Sequence, residues 1–260
     1  MTLEIALTRA RVHYGPLEAL HSIDIQIPTA RHTVLLGRNG SGRSTTLHAL
    51  AGTAPLTTGH VLWSGDRTGD QATHPRDITH LDAYQRARLG ITLVPSERAV
   101  FPSLTVAEHL SRLGGPARNS ALGLFPELLR LLPRTAGTLS GGEQQMVALA
   151  VAIAGPSRLL LLDELGRGLA EPVVARVQLA LAAAVAAGRT VVLAEQLSAL
   201  GTDVDGPDRS APPPDLVYVL HRGSVVFAGE PAEPGLAALI AAGAPSPARE
   251  RPGPGPRRRG

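Results

Sequence analysis

Residues 33–51 read Thr-Val-Leu-Leu, then Gly-Arg-Asn-Gly-Ser-Gly-Arg-Ser-Thr, then Thr-Leu-His-Ala-Leu-Ala. A short apolar run, a glycine-rich loop and a helix-forming stretch make the opening of a βα unit, which leads into a parallel sheet. The glycines allow consecutive backbone N–H groups to curl around phosphate oxygens. A helix directly behind them attracts the anion to its N-terminus. The Ser44 hydroxyl supplies the ligand type that Mg²⁺ takes beside a triphosphate. Gly37, Arg38, Asn39, Gly40, Ser41, Gly42, Arg43, Ser44 and Thr45 are therefore the candidate nucleotide cradle. The pattern calls for lysine at residue 43. Arginine keeps the charge, but its planar fork is wider than an ammonium and fits less readily beneath the phosphates. Taken alone, the loop also reads as a glycine-rich turn with a chance Ser-Thr.

A second string narrows the choice. Leu159-Leu160-Leu161-Leu162 is a buried-strand candidate closed by Asp163-Glu164, and ligands of open α/β sheets gather at the C-terminal edge of the strands. Asp163 is the candidate for the Mg²⁺ shell and Glu164 for the general base that polarises the attacking water. A solvated acid pair capping a strand is the plainer alternative.

The rest of the chain alternates strands and helices. Ile23, Ile25 and Ile27 have period two and stop at Pro28; Val61-Leu62-Trp63 and Ile91–Val94 read as further strands. Helical spacing covers 103–132, with a loop over Pro133–Leu139, a helix over Gly142–Ala154 and another over 173–187. A strand is expected at Thr190–Leu193, and a final pair, Leu216–Leu220 and Ser224–Ala228, turns at Arg222-Gly223. This order predicts an α/β fold with a mostly parallel sheet and helices on both faces. A polar, proline-rich insertion occupies 201–215. One domain over 1–243 and a disordered Pro/Arg/Gly tail over 244–260 complete the expected organisation.

Composition removes several functions. Without cysteine there is no disulfide framework, thiolate metal site or cysteine nucleophile. The opening Met1-Thr2-Leu3-Glu4-Ile5 lacks the layout of an export signal, and no apolar run is suited to crossing a bilayer, so a cytoplasmic place is expected. The net charge is +3, but the last twelve residues hold five Arg and one Glu, which leaves the body at −1. The basic balance is thus no argument for nucleic-acid binding by the folded part, and no nucleic-acid partner is expected. All 25 basic residues are arginine, a bias that could itself account for Arg43.

Leu139-Ser140-Gly141-Gly142-Glu143-Gln144-Gln145 is the most specific string. Ser140 and two glycines at a helix start make a second anion-binding turn; a plain N-cap with Glu143 at its third position is the alternative. With this string set between the glycine loop and Leu159–Glu164, residues 3–242 resemble the nucleotide-binding subunits of ABC transporters. Arg88–Pro95, Phe101–Val106, Gly137–Met146, Gly168-Leu169-Ala170 and Glu195-Gln196 make the resemblance strongest to the second ATPase of branched-chain amino acid importers.

The resemblance implies a P-loop NTPase fold with a mixed sheet, an N-terminal antiparallel β region and a small helical lobe over about 99–155. It implies a head-to-tail dimer in which ATP lies between one chain's glycine loop and the partner's Ser140, Gly141, Gly142 and Glu143. Tyr14 would stack on adenine, Ser96 would face Mg²⁺, and Gln196 would sit at the switch position near the γ-phosphate. The loop after Val94-Pro95 would sense the membrane subunit. The implied partners are a second ATPase subunit, identical or different, and two membrane permeases, with a solute-binding protein acting indirectly. The implied place is the inner face of the cell membrane.

Arg43, Ser96, Gln196 and Leu165-Gly166-Arg167 depart from the general pattern of these subunits, and residues 103–133 are shorter than expected. The departures cluster in the half-site built on this chain's own glycine loop, whereas the string lent to a partner is intact. This suggests an asymmetric heterodimer whose second site holds ATP or turns it over slowly. A non-hydrolysing regulatory subunit is the competing reading.

Overall fold

The computed structural model describes residues 2–65, 75–97, 99–196 and 212–241. β1 (Leu3–Tyr14) and β2 (Leu17–Pro28) form a hairpin, followed by β3 (His32–Gly37) and α1 (Arg43–Ala51). β4 (Thr58–Trp63), β5 (Arg76–Asp77), α2 (Ala83–Arg88) and β6 (Ile91–Val94) come next. A helical lobe holds α3 (Val106–Ser111), α4 (Gly115–Leu124) and α5 (Gly141–Ala154). β7 (Leu159–Asp163), α6 (Glu171–Ala186), β8 (Thr190–Gln196), β9 (Leu216–His221), β10 (Ser224–Gly229) and α7 (Pro234–Ala241) complete the described chain.

Two sheets result. One is antiparallel in the order β2-β1-β4-β5; the other runs β10-β9-β3-β8-β7-β6, parallel throughout except for the β9–β10 hairpin. Period-two alternation decides which side chains meet which layer. Leu35, Leu159, Leu161, Val192 and Ala194 point to the core shared with α1 and the antiparallel sheet. Val34, Leu36, Leu160, Leu162 and Leu193 point to the opposite core, built from the lobe, α5 and α6. Both faces are thus buried, which is why these strands read as continuous apolar runs. Helices lie on both faces, α1 on one and α5 and α6 on the other; on the α1 side the expected antiparallel β region supplies the rest of the cover, through β1, β2 and β4.

Other boundaries also shift. The helical spacing over 103–132 resolves into α3, α4 and a 3₁₀ turn at Pro126–Leu131, with breaks over 112–114 and at Phe125. Two helices, α2 and α7, were not anticipated. Arg86 of α2 is buried, and its guanidinium donates to the Ala49 and Leu50 carbonyls at 2.7 and 2.9 Å, closing the C-terminal end of α1. The tail over 244–260 and most of the 201–215 insertion lie outside the described residues; within the insertion, Asp215 pairs with Arg31. Among the described residues no helix is long and apolar enough to cross a membrane.

The two sheets are tied by polar contacts as well. The fully buried Glu4 carboxylate accepts from Arg158, and the Tyr218 hydroxyl donates to the Gln26 carbonyl at 2.9 Å.

Candidate nucleotide site

The loop from Gly37 to Gly42 leaves β3 at its C-terminal end and enters α1. Gly42 is the N-cap at φ +102°, and a Cβ there would stand 2.8 Å from Leu20 Cδ2. The conformation requires glycine, and the space is tight as well, with the Ala19 carbonyl oxygen 3.1 Å from such a Cβ. The Ser41 N–H donates to the Arg38 carbonyl at 3.0 Å, and Gly223 of the β9–β10 turn donates to the Ser41 carbonyl at 2.9 Å. Arg38, Asn39 and Gly40 are exposed at the tip, Ser44 is exposed, and Thr45 is half-buried in the first helical turn. No side chain caps α1, so its leading N–H groups face the loop without a side-chain acceptor.

β7 delivers its acids beside this loop. Asp163 is buried; burial pushes its carboxyl above the ordinary value, while the nearby Ser44 hydroxyl favours the ionised form. The Arg43 side chain is only 5% exposed, and its Nη2 lies 3.5 Å from Glu164 Oε1. Gln196 Nε2 donates to the same Glu164 oxygen at 3.3 Å. Arg167 Nη1 lies 3.9 Å from Glu164 Oε2 and 3.2 Å from Glu97 Oε1. Ser96 is half-buried in the loop after β6.

Three buried polar atoms at this edge, Ser41 Oγ, Arg43 Nη1 and Asp163 Oδ1, have no hydrogen-bond partner. Gathered beside the loop, they leave hydrogen-bonding capacity that a ligand here can use. Two are donors suited to phosphate oxygens, and the third is an acceptor suited to a cation. Among the described residues no three acids or histidines cluster to hold a metal unaided. That fits Mg²⁺, which takes one or two protein ligands and fills its shell with phosphate oxygens and water.

Ser140 lies elsewhere, on the lobe. It caps α5 in a reciprocal box: the Ser140 N–H donates to Glu143 Oε2 at 2.9 Å and the Glu143 N–H to Ser140 Oγ at 3.3 Å. The bond from the Ser140 backbone holds the Glu143 carboxyl below its usual range. The N-cap reading is therefore correct as local structure. It leaves the glycines unexplained, and packing accounts for one of them: a Cβ on Gly142 would stand 2.2 Å from the Gly168 carbonyl oxygen. Among the described residues no hydrogen bond or ion pair joins 140–143 to 37–45. Tyr14 ends β1 with 49% of its surface exposed.

The structure thus brings Arg43, Ser44, Asp163, Glu164 and Gln196 together and leaves Ser140–Glu143 apart. Sequence reasoning missed Glu195 as a site residue in its own right. Its Oε1 accepts from the Leu165 N–H at 3.1 Å, directly after Glu164.

The family model described as ABC transporter matches residues 20–166. The branched-chain amino acid transport ATP-binding protein BraG of Pseudomonas aeruginosa is 30% identical over 86% of this chain and 91% of its own length. The probable branched-chain amino acid transport ATP-binding protein LivF of Archaeoglobus fulgidus is 36% identical over 58% of this chain and 63% of its own. Import ATP-binding proteins named for Fe(3+), sn-glycerol-3-phosphate and sulfate/thiosulfate match at 30% to 32% identity. A nucleotide-free ATP-binding cassette from an ABC transporter superposes with a TM-score of 0.70 over 93% of this chain and 96% of its own, at 18% identity.

Proposed function

The chain belongs to the ABC transporter family, as an ATP-binding subunit, and from that premise we propose that it hydrolyses ATP to energise an importer. The single observation carrying the chemistry is Glu164, held at the edge of the phosphate loop beside Arg43, Gln196 and the buried Asp163. The loop N–H groups and Arg43 bind and orient the phosphates. Ser44 and Asp163 would hold Mg²⁺, which supplies charge neutralisation on the phosphate oxygens. Glu164 accepts a proton from the attacking water, whose oxygen bonds to the γ-phosphorus as the bridge to the β-phosphate breaks. Gln196 orients Glu164 by donating to its carboxylate.

The exposed Ser140 turn, distant in contact from this chain's own loop, supports a head-to-tail dimer in which each turn completes the neighbour's site. Two membrane permeases would provide the spans, with this chain at the inner face of the membrane and Tyr14 against the adenine. The names of the BraG and LivF relatives support branched-chain amino acids as the solute. Labelled leucine, isoleucine and valine uptake in cells lacking the chain tests that assignment; unchanged uptake overturns it. For the chemistry, Glu164→Gln in the chain assembled with its companion ATPase should lower turnover by about 100-fold or more while ATP is still bound. Undiminished turnover would overturn the assignment.

The contact between Arg43 and Glu164 favours a second reading, in which this chain's own site is slow and its Ser140 turn serves a faster partner site. The guanidinium stands beside Oε1, the oxygen that Gln196 also holds, and competes there with an attacking water.

A further inference from the structure

Glu164 has φ +50°, the left-handed region, where a side chain with a Cβ persists only if its surroundings hold it. Two backbone bonds follow from that turn. The Glu164 N–H donates to the Ala194 carbonyl at 2.9 Å, a main-chain bond that does not depend on the Glu195 side chain. The parallel pairing of β7 with β8 ends at Asp163 and Ala194, so the next amide, that of Leu165, has no ladder partner. Leu165 is 1% exposed, and its N–H would be stranded away from water. The carboxylate of Glu195, the next residue of β8, accepts it at 3.1 Å.

The placement of Glu195 is otherwise unexplained. It follows Leu193 on the face that packs against the lobe and α6, and it lines a cavity of about 600 Å³ walled by Val34, Leu36, Leu181, Val185 and Leu193. His32, Gln178 and Asp215 also line the cavity, yet the Leu165 N–H is the partner that the Glu195 carboxylate takes.

We propose that Glu195 is a positioning residue for the general base: by taking over from the sheet ladder at Leu165 it fixes the left-handed turn that sets the Glu164 carboxylate at the edge of the phosphate loop, within reach of Gln196. This rests on the reading that Glu164 activates water. The test uses the full chain with its companion ATPase for turnover, and the nucleotide-free chain for amide hydrogen exchange at Leu165. Glu195→Ala should lower kcat about 10- to 100-fold with the KM for ATP nearly unchanged, because the base is misaimed while the phosphate loop is intact. Glu195→Gln, whose amide oxygen still accepts, should restore most of kcat. Glu195→Asp, one methylene too short, should behave like the alanine variant and serves in its place if that variant does not fold. Exchange at Leu165 should quicken about tenfold or more in the alanine and aspartate variants and stay slow in the glutamine variant.

Unchanged Leu165 exchange in Glu195→Ala, or loss of kcat in Glu195→Gln equal to that in Glu195→Ala, overturns the proposal. Turnover that survives Glu164→Gln overturns the hydrolysis reading instead, and the exchange result still decides whether Glu195 holds the turn.

Discussion

The guanidinium of Arg43 and the carboxylate of Glu164 face one another at 3.5 Å, with the arginine almost wholly enclosed. The Glu164 side chain keeps 22% of its surface exposed, so the pair is screened less than a surface pair but is not cut off from water. Arg43→Lys shortens and narrows the cation and should loosen this contact. The expected outcome is a several-fold rise in the ATP turnover of the assembled complex, measured by phosphate release. An unchanged rate would assign Arg43 to the arginine bias of the chain instead.

Gly142→Ala sets two effects against each other. Alanine gains up to about 1 kcal/mol in helix propensity over glycine. The added Cβ would meet the Gly168 carbonyl oxygen at 2.2 Å, a backbone atom that cannot swing aside. Overpacking of that kind costs about 1–3 kcal/mol, so the clash wins. The variant should show a lower urea midpoint and, on mixing with the companion ATPase, reduced ATP-driven association in sedimentation.

Arg86→Leu tests the C-terminal closure of α1. The substitution removes the two Arg86 Nη1 bonds in a buried setting, leaving the Ala49 carbonyl only the long bond from the Gly52 N–H at 3.4 Å and depriving the Leu50 carbonyl of its Arg86 donor. Losing such partners costs about 1–3 kcal/mol each, so a loss of about 3 kcal/mol in urea unfolding is expected. Burial lowers the Arg86 pKa to about 10, so the residue is charged near neutrality and Arg86→Lys should rescue only part of the loss.

Glu195 makes stability depend on pH. Burial pushes its carboxyl up to about 7; the Leu165 amide and Arg43 pull it down, while Glu164 and Asp163 push it further up. His32 and Asp215 line the same cavity. The folded value lies above the unfolded one, so between roughly pH 4.5 and 7 the unfolded chain binds fewer protons. The contribution of this group is therefore greatest below that window and is lost as pH rises through about 7. In nucleotide-free protein, Glu195→Gln should lie closer to wild type at the acid end of the window and gain on it near neutrality. A constant difference in melting temperature across the window would contradict this.

The elements around the loop were legible because each carries its own local signal: Gly42 at a helix start, the Leu159–Leu162 run into Asp163, and Ser140 with Glu143 three residues later. α2 escaped because Ala83–Arg88 is six residues with no apolar period; only Asp82 and Gln85, its capping box, mark it. Glu195 escaped for a different reason. Its role depends on where the β7–β8 ladder stops and on the left-handed turn at Glu164, and neither is written in the spacing of the string itself. The Arg158–Glu4 pair, separated by 154 residues, is equally invisible before the fold brings its ends together.

The seat of α1 between two sheets has a mechanical consequence. It packs against β1 and β2 on one side and β3, β6, β7 and β8 on the other, so load applied to the phosphate loop is shared across the whole slab. The Ser140 turn is mounted on the far face, on a lobe joined through the stretches between β6 and α3 and between α5 and β7. In the proposed dimer, any displacement of the Ser140 turn relative to α1 would have to be taken up by those two stretches and by the apolar core that the lobe shares with the sheet, since the seat of α1 is braced from both sides.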